Sequence, residues 1–232
     1  MKLSIIMPVY NEKNTILQIL KKVDSVKLKN IKKEIIIIDD FSKDGTIDIL
    51  KKLKKYKIIF HEKNKGKGSA IRTGLKYATG DIIIIQDADL EYDPNDYQKL
   101  LIPILENKAQ VVYGSRFLNK TFKLSWRNKI HQWFYYLGNN VLTLATNIIY
   151  FSNITDMETC YKVFKKDVIK SLNLKAERFD IEPEITAKTL RKGYKIYEVP
   201  IIFNPRSFKE GKKINWKDGL KALFVLIKLR FF

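Results

Sequence analysis

Two carboxylates one residue apart, Asp87 and Asp89, follow directly after the four isoleucines at 82–85. A short, continuous apolar run predicts a strand covered on both faces, and open α/β sheets place their ligands at the carboxyl ends of such strands. Carboxylate oxygens suit a hard divalent cation, which would neutralise charge on a bound diphosphate. Because Asp-x-Asp also occurs at ordinary strand exits, the pair gains meaning only if the rest of the chain agrees.

The elements around this pair alternate between strand and helix. Apolar runs predict strands at 3–7, 34–38, 56–60, 81–86 and 111–115, and apolar residues at 16, 19, 20 and 23 predict a helix after the first strand. Strict alternation predicts an α/β fold with a doubly wound, Rossmann-like sheet flanked by helices. The polar residues at successive strand ends would then meet in one crevice.

Polar segments stand at the other strand ends as well. They are Pro8-Val9-Tyr10-Asn11-Glu12, Asp39-Asp40-Phe41-Ser42-Lys43-Asp44-Gly45-Thr46, Gly66-Lys67-Gly68 and Gly114-Ser115-Arg116-Phe117. Tyr10 is suited to stack on a base and Glu12 to accept from ribose or base donors. The Gly-x-Gly turn would let a phosphate approach the backbone, with Lys67 adding positive charge.

In this order, and together with Asp87-Ala88-Asp89-Leu90, these segments resemble the motif set of family 2 glycosyltransferases. Within that family the chain is similar to the branch of dolichol-phosphate mannose synthases and polyprenyl-phosphate glucosyltransferases. The resemblance covers residues 3 to about 219, since it includes Thr155-Asp156-Met157-Glu158-Thr159-Cys160-Tyr161-Lys162, Glu182-Pro183-Glu184 and Arg206-x-x-x-Glu210-Gly211-Lys212-Lys213. It implies a GT-A fold with a mixed, mostly parallel sheet, a nucleotide-sugar donor and a divalent metal, Mg²⁺ or Mn²⁺.

The resemblance also implies roles on the donor side. Asp87, Asp89 and Glu91 would hold the metal, Glu91 being the weakest of the three because many relatives carry another residue there. Asp40 would read the base edge, which suits a carboxylate because only an acceptor can meet an imide or guanine N–H. The residues predicted to bind the nucleotide are Pro8, Tyr10, Asn11, Glu12, Asp39, Asp40, Lys67, Asp87 and Lys212.

The residues predicted to take part in transfer are Asp89, Arg116, Arg127, Asp156 and Arg206. Arginine binds phosphate oxygens with a planar fork, so the three arginines would hold the acceptor phosphate or the donor diphosphate. Asp156 or Glu182 would act as a base if the acceptor is a hydroxyl. A phosphate monoester needs no base because it is already an anion, and Asp156 would then position the acceptor. Residues 204–215 are predicted to form a loop that closes over the diphosphate.

Composition bounds the alternatives. A chain of 232 residues with 45% hydrophobic content predicts a single domain, placed at 1–215, followed by a C-terminal amphipathic helix at 216–232. The single cysteine and the absence of an apolar leader predict a cytosolic protein. No apolar run reaches the roughly 20 residues that cross a bilayer, so work on lipid would take place at the membrane surface.

The formal net charge of +19 makes a nucleic-acid-binding protein the alternative from another class. Against it, no helix-turn-helix, zinc-finger or RNA-recognition pattern is present, and the lysines are spread along nearly every helix. We therefore expect no nucleic-acid partner. A sugar-nucleotide nucleotidyltransferase is disfavoured because Pro8-Val9-Tyr10-Asn11 stands where a glycine-rich turn would follow the first strand.

Two segments bear on the acceptor. The first, residues 126–151, repeats apolar residues at helical spacing, with aromatic residues towards its ends; it fits a core helix and an interfacial helix about equally. The second, residues 216–232, has an apolar stripe interleaved with Lys221, Lys228 and Arg230 and could lie flat on a membrane.

The function that these patterns and the resemblance favour is metal-dependent, inverting transfer of a hexosyl group, mannose or glucose, from a GDP- or UDP-sugar to a polyprenyl phosphate. The enzyme would be peripheral at the cytoplasmic face of the membrane. The alternative within the same family is transfer to a sugar hydroxyl of a polysaccharide or glycolipid.

Overall fold

A computed structural model describes residues 1–118, 129–206 and 216–232, with the backbone alone at 129–135, 216 and 217. The strands are β1 (Lys2–Val9), β2 (Lys32–Asp39), β3 (Lys57–Phe60), β4 (Ile82–Ile85), β5 (Val111–Ser115), β6 (Lys162–Lys165) and β7 (Ile196–Pro200). The helices are α1 (Ile16–Ser25), α2 (Thr46–Lys51), α3 (Lys67–Tyr77), α4 (Tyr97–Leu105), α5 (Lys129–Tyr150), α6 (Lys166–Ser171), α7 (Ile181–Arg191) and α8 (Trp216–Phe231).

The strands form one sheet in the order β3-β2-β1-β4-β6-β5-β7. All neighbours pair in parallel except β6, which runs antiparallel to both β4 and β5. The sheet is therefore mixed and mostly parallel, as the family resemblance implies, rather than wholly parallel, as alternation alone predicts. All five predicted strands are present, and β6 and β7 complete the sheet.

The isoleucine run of β4 is covered on both faces, which confirms its reading as a buried strand. Ile82 and Ile84 pack in the core on one side of the sheet, together with α1 and α4. Ile83 and Ile85 pack on the other side, against residues of α3, α6 and α7. Because successive strand residues point to opposite faces, only a strand with two covered faces stays apolar at every position.

A third apolar cluster joins α5, α7 and α8. Tyr150 of α5 and Leu226 of α8 are both buried there, and the Tyr150 hydroxyl donates to the Leu226 carbonyl at 2.7 Å. The C-terminal helix thus packs against the body of the protein through one of its faces. None of the helices in the described ranges combines the length and apolarity needed to cross a membrane.

The outer faces of α5 and α8 carry exposed apolar side chains, which in α8 stand beside exposed basic residues. In the part of α5 whose side chains are described, the buried positions are the polar residues Asn139, Thr143 and Thr146 and, at the end of the helix, Tyr150, whereas Leu144 and Ile148 of the apolar stripe are 61% and 65% exposed. In α8 the residues turned outward include Leu220 and Phe224. The stripe of α5 therefore does not form the core, and of its two interpretations the core helix is wrong for the described part.

Helix α3 lies so close to the sheet that only glycine fits at position 74. A Cβ there would stand 2.5 Å from Ile6 Cγ2 and 2.8 Å from Ile38 Cδ1. Both isoleucines are fully buried side chains of the central strands, with little room to move. The close approach fixes the depth at which the N-terminus of α3 meets the sheet edge.

We expect Gly74→Ala to destabilise the protein by roughly 1–3 kcal/mol, although alanine favours helix, because overpacking against the sheet outweighs propensity. Gly138→Ala is the matched control, since a Cβ at that helical position meets nothing within 4 Å. It should leave stability unchanged or raise it by up to about 1 kcal/mol. Urea unfolding of both variants measures the difference, and equal effects would contradict the packing argument.

Candidate active site

The carboxyl edge of the sheet opens into a cavity of about 1070 Å³. Its wall contains Pro8 near the end of β1, Tyr10 and Glu12 after β1, Asp40 after β2, Lys67 at the start of α3, Asp87, Asp89 and Glu91 after β4, and Arg116 after β5. The wall continues through Leu137 and Val141 of α5 to Leu220 and Leu223 of α8. One cavity thus joins the predicted donor residues to the two helices with exposed apolar side chains.

Arg206 is surrounded by an acidic cluster, which we define as Glu12, Asp89 and Glu91. Its Nη2 donates to Asp89 Oδ2 at 3.0 Å and its Nη1 to the two Glu12 oxygens at 3.1 and 3.2 Å. Its backbone N–H donates to Glu91 Oε1 at 2.8 Å. One guanidinium therefore serves three carboxylates, and the cluster keeps an excess of negative charge.

Burial and this excess of negative charge both raise the pKa of Asp89. Burial, together with the charges of Asp87 and Glu91, raises the pKa of Asp89 to about 7, and Arg206 only partly opposes the rise. A carboxyl in this position binds a proton near neutral pH unless a further cation neutralises it. The chemistry of the donors thus fits a hard cation, which prefers carboxylate oxygens.

Asp87 belongs to a second set of charges, which we call the lysine network: Asp87, Lys67, Glu182 and Lys162. Lys67 Nζ lies 2.9 Å from Asp87 Oδ1 and 3.2 Å from Glu182 Oε1, and Lys162 Nζ lies 2.6 Å from Glu182 Oε2. Burial lowers the pKa of Lys67, but Asp87, Cys160 and Glu182 outweigh burial and hold it well above its usual range. Lys67 is therefore charged at neutral pH, and the network carries opposite charges side by side.

The glycines on either side of Lys67 let another part of the backbone approach closely. A Cβ on Gly68 would stand 2.6 Å from the Ala176 carbonyl oxygen, and a Cβ on Gly66 would collide with the Glu177 carbonyl. The Ser69 N–H donates to that Glu177 carbonyl at 2.9 Å. The Gly-x-Gly turn therefore admits the backbone of 176–177. Gly66 and Lys67 also line the cavity, and the approach of a phosphate to this turn stays a prediction.

Asp40 organises the loop after β3. Its Oδ1 accepts from the Lys65 N–H at 2.8 Å and lies 2.7 Å from His61 Nδ1, and its Oδ2 accepts from the Gly66 N–H at 2.7 Å. Sequence reasoning missed these partners, because they lie more than twenty residues away along the chain. That Asp40 recognises the base of the nucleotide stays a prediction. Its Oδ2 could still accept a further hydrogen bond from the base.

The remaining predicted nucleotide residues divide into two groups. Pro8, Tyr10 and Glu12 line the cavity. Asn11 instead joins the loops after β1 and β2: its N–H donates to Ser42 Oγ and its Oδ1 accepts from the Lys43 N–H, both at 2.8 Å. Asp39 is fully buried; its Oδ2 accepts from the Ser42 N–H at 2.9 Å, and its Oδ1 has no hydrogen-bond partner in the described ranges.

Asp156 holds Arg116 with both oxygens. Oδ2 accepts from Arg116 Nε at 2.7 Å and from its backbone N–H at 3.0 Å, and Oδ1 accepts from Nη2 at 2.7 Å. Asp156 is fully buried, so the interpretation of this residue as a base or as a direct acceptor contact is corrected: it orients Arg116. Glu182, the other candidate base, is held between Lys67 and Lys162. Arg127 and Lys212 lie outside the described residues, as does the predicted loop from 207 to 215.

Sequence reasoning did not assign Lys162, Glu158 or Phe203 to the site. Lys162 is fully buried, and its ion pair with Glu182 compensates the cost of that burial. Glu158 lines the cavity, and the Phe203 ring centroid lies 5.0 Å from the guanidinium carbon of Arg116. The available signal was the segment from Thr155 to Lys162, in which acidic and basic residues alternate with apolar ones.

In the described part of the chain, no group of three or more His, Cys, Asp and Glu side chains is arranged to hold a metal ion. The reason lies in the contacts above, since Asp87 faces Lys67 and Asp89 faces Arg206. The predicted ligands therefore stand at one strand end, but each is paired with a cation of the protein.

The mixed, mostly parallel sheet flanked by helices has the architecture of the GT-A fold. The sequence profile of glycosyl transferase family 2 matches residues 4–172, and the chain belongs to this family. It is a glycosyltransferase, and both the resemblance and the fold expected from the sequence are confirmed.

Two relatives are similar to this chain over nearly its whole length. The chain is 31% identical to the UDP-N-acetylglucosamine–dolichyl-phosphate N-acetylglucosaminyltransferase of Methanococcus voltae, with 97% of this chain and 95% of the relative covered. It is 30% identical to the dolichol-phosphate mannosyltransferase of Pyrococcus furiosus over 91% of this chain, which spans 59% of that longer relative.

Among solved structures, glucosyl-3-phosphoglycerate synthase from Mycobacterium tuberculosis, solved with Mn²⁺, uridine diphosphate and phosphoglyceric acid, matches with a TM-score of 0.74. That match covers 100% of this chain and 79% of the synthase at 17% identity, so it bears on the fold alone.

Arg206→Gln should lower the free energy of unfolding at about pH 8 by roughly 2 kcal/mol, because it leaves the acidic cluster without its cation in a largely buried place. In the folded protein the pKa of Asp89 is raised, so stability falls as pH rises through about 7. The variant should therefore recover most of its loss near about pH 5, where the cluster binds protons. Unfolding of the variant and the wild type by guanidinium chloride, from about pH 5 to about pH 8, measures this loss of stability.

Arg178→Gln is the control, since Arg178 lines the same cavity but makes no described contact with the acidic cluster. Added Mg²⁺ should stabilise the Arg206 variant more than the wild type. A loss that is independent of pH, or the same loss in both variants, would contradict the role of Arg206 as the cluster's counter-ion.

Proposed function

We propose that this glycosyltransferase moves a hexosyl group from a GDP- or UDP-sugar to a polyprenyl phosphate at a membrane surface. The observation that carries the proposal is the continuous cavity: one end is lined by Asp87, Asp89 and Arg206, and the other by Leu137, Val141 and Leu220 of two helices with exposed apolar side chains. A charged donor and a lipid acceptor need these two environments side by side. The M. voltae and P. furiosus relatives, named for dolichyl-phosphate substrates, agree with it.

The donor end supplies acceptors for a nucleotide and for a cation. Pro8, Tyr10, Glu12 and Asp40 line the part of the cavity nearest the first two strands, where the base and ribose would lie. Asp87, Asp89 and Glu91 would hold Mg²⁺ or Mn²⁺, which would neutralise charge on the leaving nucleoside diphosphate. When the donor binds, its phosphates offer Arg206 a new partner, and the acidic cluster becomes available to the metal.

The acceptor end supplies a positioned cation. Asp156 holds Arg116 through three hydrogen bonds, and the guanidinium lies in the same cavity as the donor residues. A phosphate monoester bound by Arg116 is already anionic and attacks the anomeric carbon without a base. This agrees with the engagement of both candidate bases, Asp156 and Glu182, by cations. A single in-line displacement of this kind inverts the configuration.

The membrane surface follows from the exposed apolar residues. Val141, Leu144 and Ile148 of α5 and Leu220 and Phe224 of α8 are all more than half exposed. Soluble monomers rarely expose apolar patches of this extent without a partner. The basic residues Lys221, Lys228 and Arg230 of α8 and the net charge of +19 add attraction to anionic headgroups. Association with the cytoplasmic face of the membrane would bring a lipid phosphate to Arg116.

Asp89→Asn should abolish transfer and metal-dependent donor binding while leaving the fold intact, because it removes a metal ligand and keeps the size of the side chain. The experiment is a thermal-shift titration with UDP, GDP and their sugars, with and without Mn²⁺. A ligand at about 100 times its dissociation constant stabilises the wild type by roughly 2.7 kcal/mol. Asp48, which lies on α2 away from the cavity wall, gives the control Asp48→Asn. Retention of metal-dependent donor binding by the Asp89 variant would overturn the metal assignment.

Leu144→Gln combined with Ile148→Gln should reduce flotation with vesicles of anionic phospholipid without lowering stability, since both side chains are already exposed. Leu17→Gln combined with Ile102→Gln is the matched control, because these leucine and isoleucine side chains are 52% and 42% exposed on α1 and α4. High salt should weaken the binding of the wild type without removing it. Unchanged flotation in the α5 variant would refute the membrane surface.

Transfer to a long polyprenyl phosphate and to a water-soluble short-chain analogue should be measured with the same variants. The α5 variant should lose the preference for the long acceptor and keep transfer to the short one. If a sugar hydroxyl serves as acceptor and neither phosphate does, the alternative within the family is correct.

A further inference from the structure

Glu158 is a carboxylate in the cavity to which the proposed reaction has so far given no role. It lines the cavity, and its Oε1 is buried without a hydrogen-bond partner in the described part of the chain. By contrast, Glu184 accepts from the Lys175 and Ala176 N–H groups, and Glu198 from those of Thr155 and Asp156. Glu182 Oε1 also lacks a hydrogen bond among the described residues, but the Lys67 ammonium lies 3.2 Å from it. A buried acceptor without a partner costs free energy, so the fold alone does not account for Glu158.

The position of Glu158 relates it to both ends of the site. Burial raises the pKa of Glu158 to about 7, and the nearby cations Lys162 and Arg116 oppose the rise. Lys162 is the last member of the lysine network, which runs through Glu182 and Lys67 to Asp87. Arg116 is the cation proposed to hold the acceptor phosphate. Glu158 thus lies near Lys162 and Arg116, in the cavity that the donor and acceptor residues share.

During transfer the sugar must lie in this cavity, between the donor residues and the acceptor residues. Its anomeric carbon lies between the leaving diphosphate and the attacking phosphate, and its hydroxyls point to the wall around them. Sugar hydroxyls are donors, and a carboxylate oxygen without a partner is the acceptor that they match best. A phosphate monoester is already an anion, so the chemistry requires no base from this side chain.

We propose that Glu158 binds a hydroxyl of the hexosyl group being transferred and thereby takes part in the choice of sugar. This inference rests on the proposed function. It assigns to Glu158 a contact with the sugar and none with the nucleoside diphosphate. The sugar contact satisfies the buried Oε1 only when a nucleotide sugar, and not a bare nucleotide, is bound.

The test compares sugar-bearing and sugar-free ligands by isothermal titration calorimetry in the presence of Mn²⁺. The probes are UDP-glucose, UDP-N-acetylglucosamine and GDP-mannose, with UDP and GDP as their sugar-free counterparts. For the nucleotide sugar that the wild type binds best, Glu158→Ala should weaken affinity at least about tenfold, equivalent to about 1.4 kcal/mol. Its affinity for the matching nucleoside diphosphate should change less than about twofold.

Glu158→Gln keeps the size of the side chain and one acceptor, so it should fall between the wild type and Glu158→Ala, and it remains informative if the alanine variant folds poorly. The control is Glu62→Ala, an exposed glutamate on the loop after β3. The ratio of affinities among the three nucleotide sugars should also fall in the Glu158 variants, a change that a purely structural role would not produce.

The outcomes separate this inference from the proposed function. Equal loss of affinity for nucleotide sugar and nucleoside diphosphate would show that Glu158 only supports the site, and unchanged affinity for both would show no role. Either result overturns the inference and leaves the proposed function standing. A wild type that binds none of the nucleotide sugars overturns both.

Discussion

Several charged side chains are buried at the carboxyl edge of the sheet, and a buried charge requires compensation by a charge of opposite sign. The rest of the site is arranged around this constraint. Three separate pairings provide the compensation: Arg206 with the acidic cluster, the lysine network around Glu182, and Arg116 with Asp156. Isolated ions at this depth would cost several kcal/mol each, so the three pairings remove a large penalty to folding. The pairings differ in whether a bound ligand could add to their charge balance. Arg116 and Asp156 satisfy each other, whereas the acidic cluster stays short of positive charge.

This difference divides the site into a fixed part and an exchangeable part. The lysine network joins residues of α3, β6 and α7 with the segment after β4, and the Arg116–Asp156 pair joins the segments after β5 and before β6. Their ion pairs are between 2.6 and 3.2 Å long. The acidic cluster is closed by Arg206, which follows β7 at the start of a connecting segment. A cation that enters the cavity can improve the charge balance at the acidic cluster, because this cluster has three carboxylates and one arginine.

The sequence predicted the frame of the molecule better than the contacts within it. Strand β4 was predictable because an unbroken run of isoleucines is typical of a strand with two covered faces, and polar segments at the strand ends identified the active edge. Strand β6 was not predicted, because Lys162 and Lys165 interrupt so short a run. Lys162 is buried only because Glu182, twenty residues later, neutralises it. The stripe of α5 predicted a helix, but periodicity cannot tell which side of a helix faces the protein, and here the polar side does.

The pairing of Arg116 with Asp156 has a consequence in conformational entropy. A free arginine side chain has about 2 kcal/mol of rotamer entropy, which a surface arginine would lose each time it captured a phosphate. In this protein that loss occurs once, on folding, because Asp156 fixes both the Nε and the Nη2 ends of the guanidinium. A phosphate that binds Arg116, as we propose for the acceptor, would meet a cation that is already oriented, and its binding free energy would not be reduced by ordering the arginine. A lysine at position 116 would not be oriented in this way, because a single ammonium on a flexible side chain cannot make the two separate hydrogen bonds that the guanidinium makes with Asp156.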